Sequence, residues 1–307
     1  MSVTDHLQSG AIKVIGSILR RFPLEVVRKF ARSLGTFFYR HIPIRKDVAL
    51  ANLRLCFPEK SWEELDGILA RSYVNIATVF FEFLYFPKLT RETLKKIVRF
   101  KDNIQDVVKA SFERGNGIVM ISGHFSNWEL AALSFGDFTG KSLAIIVHPF
   151  HNKSVDKLAN AYRSLLGNST IPMGNSIRQI ISTLRANGIA ALLADQSASK
   201  ESGTARFFGI DVPTFQGPAT FALRTGATVI AGFIVRAGDG NYDFRFHEIG
   251  YGDLDVESEQ SVRELTQRHV SLLEKYIREY PEMWLWFHKR FKHISAFEDA
   301  LLEVKGR

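Results

Sequence analysis

The segment GIVMISGHFSNWELAAL, residues 117–133, joins a strand-like apolar run to a helical pattern and contains the first candidate site. Its apolar run over 118–121 has the composition of a buried strand, and a helical pattern begins a few residues later. His124 follows that run closely, and Glu129 comes five positions after it. A histidine and a carboxylate at a strand-to-helix turn are the parts of a general base, so an enzyme is the leading interpretation.

The spacing of His124 and Glu129 limits how their side chains could meet. Inside one helix, residues five apart lie about 140° from each other around the axis and do not share a face. They can meet if His124 precedes the helix and Glu129 lies in its first turns. The carboxylate would then hold one ring nitrogen, and the other nitrogen could take a proton from a substrate hydroxyl. The alternative is a helix-start histidine with an unrelated surface glutamate, because this spacing also occurs by chance.

Short β-rich runs alternate with helical patterns from residue 117 onward. The predicted strands are 117–122, 143–148, 189–194, 228–235 and 242–248. The predicted helices are 125–136, 152–166, 176–186, 216–225 and 258–280. This alternation predicts an α/β fold with a central mixed sheet flanked by helices. His124 would lie at the carboxyl edge of that sheet, where open α/β sheets bind ligands.

The N-terminal segment is strongly basic, with nine Lys and Arg in residues 1–46 against two acids. Apolar residues recur at helical spacing over 11–22, and Pro23 separates this pattern from a second one. Basic amphipathic helices of this kind can lie in a membrane interface. Considered alone, the segment is explained more simply by ordinary packing on the domain core.

Further helices are predicted over 61–86 and 91–114, before the first strand. We therefore predict a helical, membrane-associated N-terminal region over 1–90 and an α/β core over 91–307, most simply as one continuous domain. No uncharged apolar run reaches the length of about 18 residues that a membrane span requires.

The composition is that of a globular, core-forming chain of 307 residues with 46% hydrophobic and 23% charged residues. Cys56 is the only cysteine, so an internal disulfide and a cysteine-based metal site are excluded. The net charge of +8 suits anionic partners such as phosphates, acidic lipids, nucleic acid or an acidic carrier protein. Sequence motifs for zinc hydrolases and nucleotide phosphates are absent, so neither a metal nor a nucleotide is expected.

Residues 123–130, GHFSNWEL, resemble the His-x4-acid signature of membrane-associated acyltransferases, and specifically the lipid A biosynthesis (lauroyl/myristoyl) branch. Further blocks resemble that family in the expected order and cover most of the chain. They are RKDVALANLRLCFPEKS (45–61), NKSVDKLANAYRSLLG (152–167), GIAALLADQS (188–197), RFFGIDVPTFQGPATFALRTGATVI (206–230) and YPEMWLWFHKRFK (280–292). Acyltransferases of other glycolipids, such as mannosylated phosphatidylinositols, share nearly the same blocks.

Two departures from the family pattern concern the acceptor and the membrane. Many lipid A acyltransferases carry a basic residue followed by Pro after the second strand, where this chain has His148-Pro149. An N-terminal membrane span, often present in the family, is not evident here.

The resemblance implies a glycerolipid-acyltransferase-like fold and transfer of a fatty acyl chain from a thioester to a hydroxyl of a lipid A precursor. Acyl-carrier protein is the expected donor, with acyl-CoA as the alternative, and no cofactor or metal is implied. His124 would be the general base, and Glu129 would orient it and stabilise its imidazolium. The expected location is the cytoplasmic face of the cell inner membrane.

Three polar residues are predicted to bind substrate. Arg163 lies in a block where the family uses an arginine, and its planar fork suits phosphate. Asp195 and Gln196 follow another predicted strand and would lie beside the same cleft. Asp195 could support His124 or contact the acceptor sugar. The alternatives are a solvated surface arginine and a loop-capping aspartate.

Apolar candidates come from the later blocks. Phe207, Phe208 and Gly209 are predicted to line the acyl groove, since a fatty chain requires apolar walls. Packing in the core is an equally good explanation for the two phenylalanines. Trp284 and Trp286 lie in an aromatic-basic cluster, and core packing is the default for both.

The predicted function is therefore a membrane-associated acyltransferase that acts on a lipid A precursor. An acyltransferase for another glycolipid or for a lysophospholipid is the nearest alternative. A non-catalytic basic protein of the membrane surface is an alternative of another class. The expected partners are acyl-carrier protein, an anionic glycolipid and the membrane surface. Nucleic acid is not expected, because the basic residues do not accompany a recognised groove-reading element.

Overall fold

A computed structural model of the chain describes residues 3–100, 104–174 and 176–307. Seven strands form one sheet in the order β1-β9-β8-β2-β5-β3-β4, parallel except that β9 runs antiparallel to β8. Their bounds are β1 Val98–Phe100, β2 Ile118–Ser122, β3 Leu143–Val147, β4 Ser169–Pro172, β5 Ile189–Leu193, β8 Thr228–Arg236 and β9 Tyr242–Glu248. A separate hairpin pairs β6 (Thr204–Phe207) with β7 (Ile210–Pro213). The predicted mixed α/β sheet is thus confirmed.

Helices cover both faces of the sheet and build the N-terminal layer. Their bounds are α1 Val3–Leu19, α2 Leu24–His41, α3 Lys46–Cys56, α4 Trp62–Tyr85, α5 Arg91–Ile97, α6 Ile104–Glu113, α7 Trp128–Thr139, α8 Lys153–Arg163, α9 Ser176–Arg185, α10 Gly217–Thr225, α11 Glu259–Glu279 and α12 Ser295–Lys305. Short 3₁₀ turns occupy Phe86–Lys88, Leu165–Gly167 and Pro281–Met283. Two large apolar clusters, one on each side of the sheet, form the core.

One predicted helix is wrong. The segment 91–114 contains α5, the strand β1 and then α6, with residues 101–103 outside the described part of the chain. β1 has three residues and pairs with β9 at the sheet edge, which is too short for a period of two to be recognised. The strand β4, the β6–β7 hairpin and the helices α3 and α12 were also not predicted.

The register of the sheet explains why two distant segments meet at one edge. β2 and β5 are parallel neighbours, and Ser122 pairs with Leu193. His124 and Asp195 each lie two residues beyond that pair, so both leave the sheet at the same carboxyl edge. Both strands are almost wholly buried, which explains their continuous apolar sequences.

The N-terminal layer packs against the sheet through α4. Gly35 of α2 lies against the backbone of α4, where a Cβ atom would stand only 2.7 Å from Cα of Val74. A side chain at position 35 would therefore push the two helices apart. Residues of α3 and α4 share one apolar cluster with the sheet strands β2, β5 and β8, so these N-terminal helices pack on the core.

A buried ionic cluster connects α4 to the sheet and to the start of α7. Glu82 is 4% exposed, and Arg28, Arg236 and Tyr242 all donate hydrogen bonds to its carboxylate. Asn127, the N-cap of α7, donates to it as well at 2.6 Å. Burial alone raises the pKa of Glu82, but Arg236 and Arg28 bring the net pKa below its ordinary value. The carboxylate is therefore charged, and removal of Glu82 would leave the charges of Arg28 and Arg236 without their buried counter-charge.

Among the described residues, one helix is long and apolar enough to cross a membrane, over Trp62–Lys88. Half of its apolar window is buried inside the protein, and it carries the ionic cluster around Glu82. A core helix meets the same length and composition criteria, so this feature is weak evidence for a membrane span.

Candidate active site

His124 and Asp195 form a hydrogen-bonded pair at the carboxyl edge of β2 and β5. Nδ1 of His124 lies 2.8 Å from Oδ1 of Asp195, and the backbone N–H of His124 donates to Oδ2 at 2.8 Å. The indole N–H of Trp284 donates to the same Oδ2, also at 2.8 Å. Because a carboxylate only accepts, Nδ1 carries the ring proton and Nε2 is left as a proton acceptor.

The Asp195 carboxyl is 5% exposed and remains ionised. Burial alone raises its pKa, but the charge of His124 and the hydrogen bonds from His124 and Trp284 lower the net pKa to about 2. An ionised carboxylate on Nδ1 fixes the ring tautomer and stabilises the imidazolium that forms when Nε2 takes a proton.

The turn that carries His124 is held by a segment far away in sequence. Phe125 forms an antiparallel bridge with Trp284, and Leu285 donates its N–H to the carbonyl of His124 at 3.0 Å. Ser126 has a φ of 49°, a left-handed conformation that is rare for a residue other than glycine. Its N–H donates to the carbonyl of Met283 at 2.6 Å, which stabilises this conformation. The direction of the His124 ring therefore depends on the 283–285 segment.

Glu129 pairs with Arg163, which corrects the prediction that it orients His124. Nε of Arg163 donates to both carboxylate oxygens at 3.0 and 3.1 Å, and Nη2 donates to Oε1 at 2.6 Å. Glu129 lies in the first turn of α7, which points it away from the sheet edge toward α8. Glu129 does not contact His124 because Asp195, at the end of the adjacent strand β5, already occupies Nδ1.

Arg163 lines the cleft, but its guanidinium already has partners within the protein. The Glu129 carboxylate takes Nε and Nη2, and Nη1 donates to Asn160 at 3.3 Å. Burial lowers the pKa of Arg163, and Glu129 more than offsets this, so the net pKa lies above its ordinary value. The expected bidentate contact of this fork with a phosphate is therefore not preformed.

Gln196 is exposed and lies directly in front of His124. Its side-chain amide nitrogen is 3.3 Å from Nε2 of His124, on the side of the ring that faces the cleft. The amide is thus next to the atom that would accept a substrate proton, and substrate binding by Gln196 stays a prediction.

A cleft of about 720 Å³ opens in front of Nε2 and continues beneath α7. Its mouth is polar and includes Trp128, Gln196 and the Glu129–Arg163 pair. Its depth is apolar and is lined by buried side chains of β2, α7, β3 and β5, namely Met120, Ala131, Phe135, Leu143 and Ala191. Small residues on α7 and β5 leave this space open. A polar mouth with an apolar depth fits a long aliphatic chain with a reactive polar end.

Phe207, Phe208 and Gly209 lie outside this cleft, which corrects the prediction that they line the acyl groove. Phe207 is 1% exposed and packs against Trp284 and Phe291 in the core. Phe208 and Gly209 form the two-residue turn of the β6–β7 hairpin, with φ values of 52° and 76°. Two positive φ values are the requirement of a tight I′ hairpin turn, so Gly209 serves the backbone.

The chain matches a known family over nearly its whole length. The family described as bacterial lipid A biosynthesis acyltransferase matches residues 4–293. The chain belongs to this family. It is an acyltransferase, as the sequence predicted.

Curated relatives match this chain over most of its length. The lipid A biosynthesis palmitoleoyltransferase of Escherichia coli (strain K12) is 23% identical over 285 residues, which cover 92% of this chain and 90% of the relative. The lipid A biosynthesis lauroyltransferase of the same organism is 23% identical over 283 residues, covering 89% and 87%. The phosphatidylinositol mannoside acyltransferase of Mycobacterium tuberculosis (strain CDC 1551 / Oshkosh) is 25% identical over 243 residues, covering 75% and 73%.

The sequence did not predict that Trp284 donates a hydrogen bond to Asp195. Core packing was its default role, and the residue is indeed 3% exposed. A buried tryptophan usually finds an acceptor for its N–H, which is the signal that could have been used. The acceptor itself was not predictable, because residues 195 and 284 are far apart in sequence.

Within residues 3–100, 104–174 and 176–307, no group of three His, Cys, Asp or Glu side chains is arranged to hold a metal ion.

Proposed function

We propose that this acyltransferase moves a fatty acyl chain from a thioester to a hydroxyl of a lipid A precursor. His124 takes the hydroxyl proton on Nε2, and Asp195 stabilises the resulting imidazolium. The hydroxyl oxygen bonds to the thioester carbonyl carbon, and the carbon–sulfur bond then breaks. The imidazolium returns its proton to the departing thiolate, which leaves His124 neutral. The single observation that supports this chemistry most is the His124–Asp195 pair at the mouth of a deep apolar cleft.

The experiment is an assay with acyl-carrier-protein thioester and a lipid A precursor in mixed micelles, read by mass spectrometry. His124→Ala removes the base, and general-base catalysis contributes typically 10²- to 10⁴-fold, so the rate should fall by about that factor. His41→Ala is the control, because His41 is exposed at the end of α2. Wild-type transfer by His124→Ala would exclude the proposed mechanism.

The acceptor is tested by substitution in the same assay. Phosphatidylinositol mannoside and a lysophospholipid replace the lipid A precursor in parallel reactions. Product from either of these alone would contradict the lipid A proposal while leaving the role of His124 intact. A complete lack of product with every acceptor would also contradict the lipid A proposal and point to an acceptor of another class.

Acyl-carrier protein is the proposed donor because it is acidic and the cleft mouth adjoins exposed basic residues. Lys200 lies between two serines that line the cleft, Ser199 and Ser202, and Lys153 follows the lining residues at 148–151. Opposite charges steer association and make its rate dependent on ionic strength. We expect a higher rate with acyl-carrier protein than with acyl-CoA, and a difference that shrinks at high salt. Equal rates at low salt would exclude acyl-carrier protein as the preferred donor.

The apolar depth of the cleft is the proposed site of the acyl chain. Ala131 of α7 lines it and is 5% exposed, so Ala131→Leu would fill part of the space. The variant should favour shorter acyl chains, by about tenfold in kcat/KM for each methylene that loses its place. Ala161→Leu is the control, since Ala161 is exposed on α8. An unchanged preference for acyl-chain length in Ala131→Leu would show that the acyl chain binds elsewhere.

The membrane-facing surface is proposed to be the outer side of α1 and α2. Large apolar side chains are exposed along it, namely Leu7, Val14, Ile15, Ile18, Phe22, Val26, Phe30 and Phe37. Exposed basic residues accompany them, including Lys13, Arg21, Lys29 and Arg32. This combination suits an interface with anionic lipids. Asn152, beside the cleft mouth, hydrogen-bonds Gln8 of α1 at 2.7 Å, so the apolar surface adjoins the cleft. The proposed location is the cytoplasmic face of the inner membrane.

Vesicle binding tests this surface with two matched leucines. Leu7 is 69% exposed on α1, and Leu302 is 68% exposed on α12. Leu7→Glu should weaken binding to vesicles that contain anionic phospholipid, and Leu302→Glu should not. Equal effects of the two substitutions would contradict the assignment of this face.

A further inference from the structure

A small cavity lies directly behind Asp195, on the side away from the substrate cleft. It measures about 10 Å³, close to the least volume that holds one water molecule. Ser122, Asp195, His269 and Arg290 are the polar and charged residues that line it, and its other lining residues are apolar. Ser122 also lines the large cleft, so only the ends of β2 and β5 separate the two spaces.

Polar groups around this cavity have unused hydrogen-bonding capacity. His269 is 4% exposed, and within the described part of the chain no protein group hydrogen-bonds its Nε2. An ionised carboxylate offers about four acceptor positions, and three donors on His124 and Trp284 already reach Asp195. Burial of His269 Nε2 without a partner costs free energy, and one water molecule could satisfy it while donating to the remaining acceptor position of Asp195.

Arg290 adds a positive charge to the same cavity wall. It is 3% exposed and donates to the carbonyl of Pro213 at 2.6 Å and to Oγ1 of Thr214 at 2.8 Å. No carboxylate within salt-bridge distance of Arg290 is found among the described residues, so its charge acts across the cavity. In this low-dielectric surrounding, a guanidinium favours the ionised form of Asp195.

We propose that a single ordered water in this cavity links Nε2 of His269 to the Asp195 carboxylate, and that His269 and Arg290 are positioning residues for the His124–Asp195 pair. This inference rests on the proposed role of His124 as the base. The water donates one hydrogen bond to Asp195 and accepts from Nε2–H of His269. Asp195 is thereby held by three partners, His124, Trp284 and the water. Burial, and secondarily Arg290, lowers the pKa of His269 to about 4, so its ring is neutral at pH 7.

The first test is a crystal structure at a resolution that shows ordered water. We expect one water molecule within hydrogen-bond distance of Asp195 and of Nε2 of His269. A cavity without solvent density would overturn the proposal, whatever the enzyme acts on.

The second test compares two substitutions of His269 with a matched control. His269→Gln keeps a polar group near the position of Nε2, whereas His269→Leu removes it. We expect kcat to fall about tenfold in His269→Leu with KM unchanged, and to stay within about threefold of wild type in His269→Gln. Thr266→Val removes a buried polar atom one turn earlier on α11, away from the cavity, and should leave kcat unchanged.

The resonance of the His124 Nδ1 proton separates positioning from general destabilisation. With ¹⁵N-labelled histidine, we expect this signal to move in His269→Leu and to stay in place in Thr266→Val. Equal kcat and unmoved signals in both His269 variants would overturn the proposal. Failure of the proposed function is distinguishable, because His124→Ala would then keep wild-type activity while the water could still be present.

Discussion

In front of His124 lies a cleft of about 720 Å³ with apolar side chains in its depth, whereas the cavity behind Asp195 measures about 10 Å³. The front has a polar mouth and room for a long chain, and the back has almost no space. This difference indicates that the two spaces have different functions. The front admits a long apolar substrate, and the back holds the carboxylate that orients the base.

The two carboxylates near His124 also lie on different sides of it. Asp195 belongs to the buried side and contacts the His124 ring, whereas Glu129 belongs to the cleft side and contacts Arg163. A motif of histidine and acid in one sequence segment therefore does not identify the pair that works together. The neighbouring strand supplies the partner.

The largest effect on kcat is expected from substitution of Asp195, the carboxylate on the buried side of His124. Asp195→Asn presents an amide to Nδ1 and favours the wrong ring tautomer, which costs about 10⁴-fold in kcat in a comparable histidine–aspartate pair. The measurement is acyl transfer at saturating substrate. The signal of the His124 Nδ1 proton should also move. In Glu129→Gln that signal should stay in place, and a shift there would contradict the assignment of Glu129 to Arg163.

Acid should destabilise the folded protein through His269. The folded pKa of His269 is about 4, below the ordinary 6.5, because burial disfavours the charged ring. The unfolded chain therefore binds the proton first as the pH falls, and stability is lost between about pH 6.5 and pH 4. From this group alone the loss is roughly 2 kcal/mol by pH 5. Thermal unfolding at pH 7 and pH 5 measures it. His269→Gln should reduce the difference, and an equal difference in that variant would contradict the prediction.

A smaller effect is expected at Trp284, where one hydrogen bond to Asp195 can be removed. Trp284→Phe deletes the N–H but keeps an aromatic ring, and loss of a bond to a charged group should lower kcat about tenfold. Trp286→Phe is the matched control, since Trp286 is buried in the same cluster and donates to the carbonyl of Pro281. If both variants lowered kcat equally, the effect would be one of packing rather than of the hydrogen bond.

The smallest effect is expected at the rim of the cleft. Phe150 lines the mouth and is 47% exposed, so Phe150→Ser removes apolar contact area for a substrate without reaching His124. We expect KM to rise about fivefold, which is ~1 kcal/mol for partial burial of a phenylalanine, with kcat unchanged. Steady-state kinetics with varied lipid acceptor test it. A fall in kcat at constant KM would place Phe150 in the chemical step instead.

Much of the fold was predictable because its strands are buried on both faces. Continuous apolar runs at 117–122, 189–194 and 228–235 correspond to β2, β5 and β8. The short edge strand β1 was not predictable, since three residues carry no periodic signal. The β6–β7 hairpin was missed for another reason. Its turn residues, Phe208 and Gly209, lie in a block that resembles the family. That resemblance predicted that they line the acyl groove.

A histidine and an aspartate that each follow a buried strand can be recognised in the sequence, and the resemblance to a family predicts an α/β acyltransferase. Which carboxylate contacts the histidine became known only from the folded structure. That choice depends on strand order, because β5 lies next to β2 and brings Asp195 to Nδ1. It depends also on the 283–285 segment, which holds the turn and supplies the Trp284 N–H. Local periodicity reports which residues are buried, whereas hydrogen-bond partners far apart in sequence are set by the packing of the whole chain.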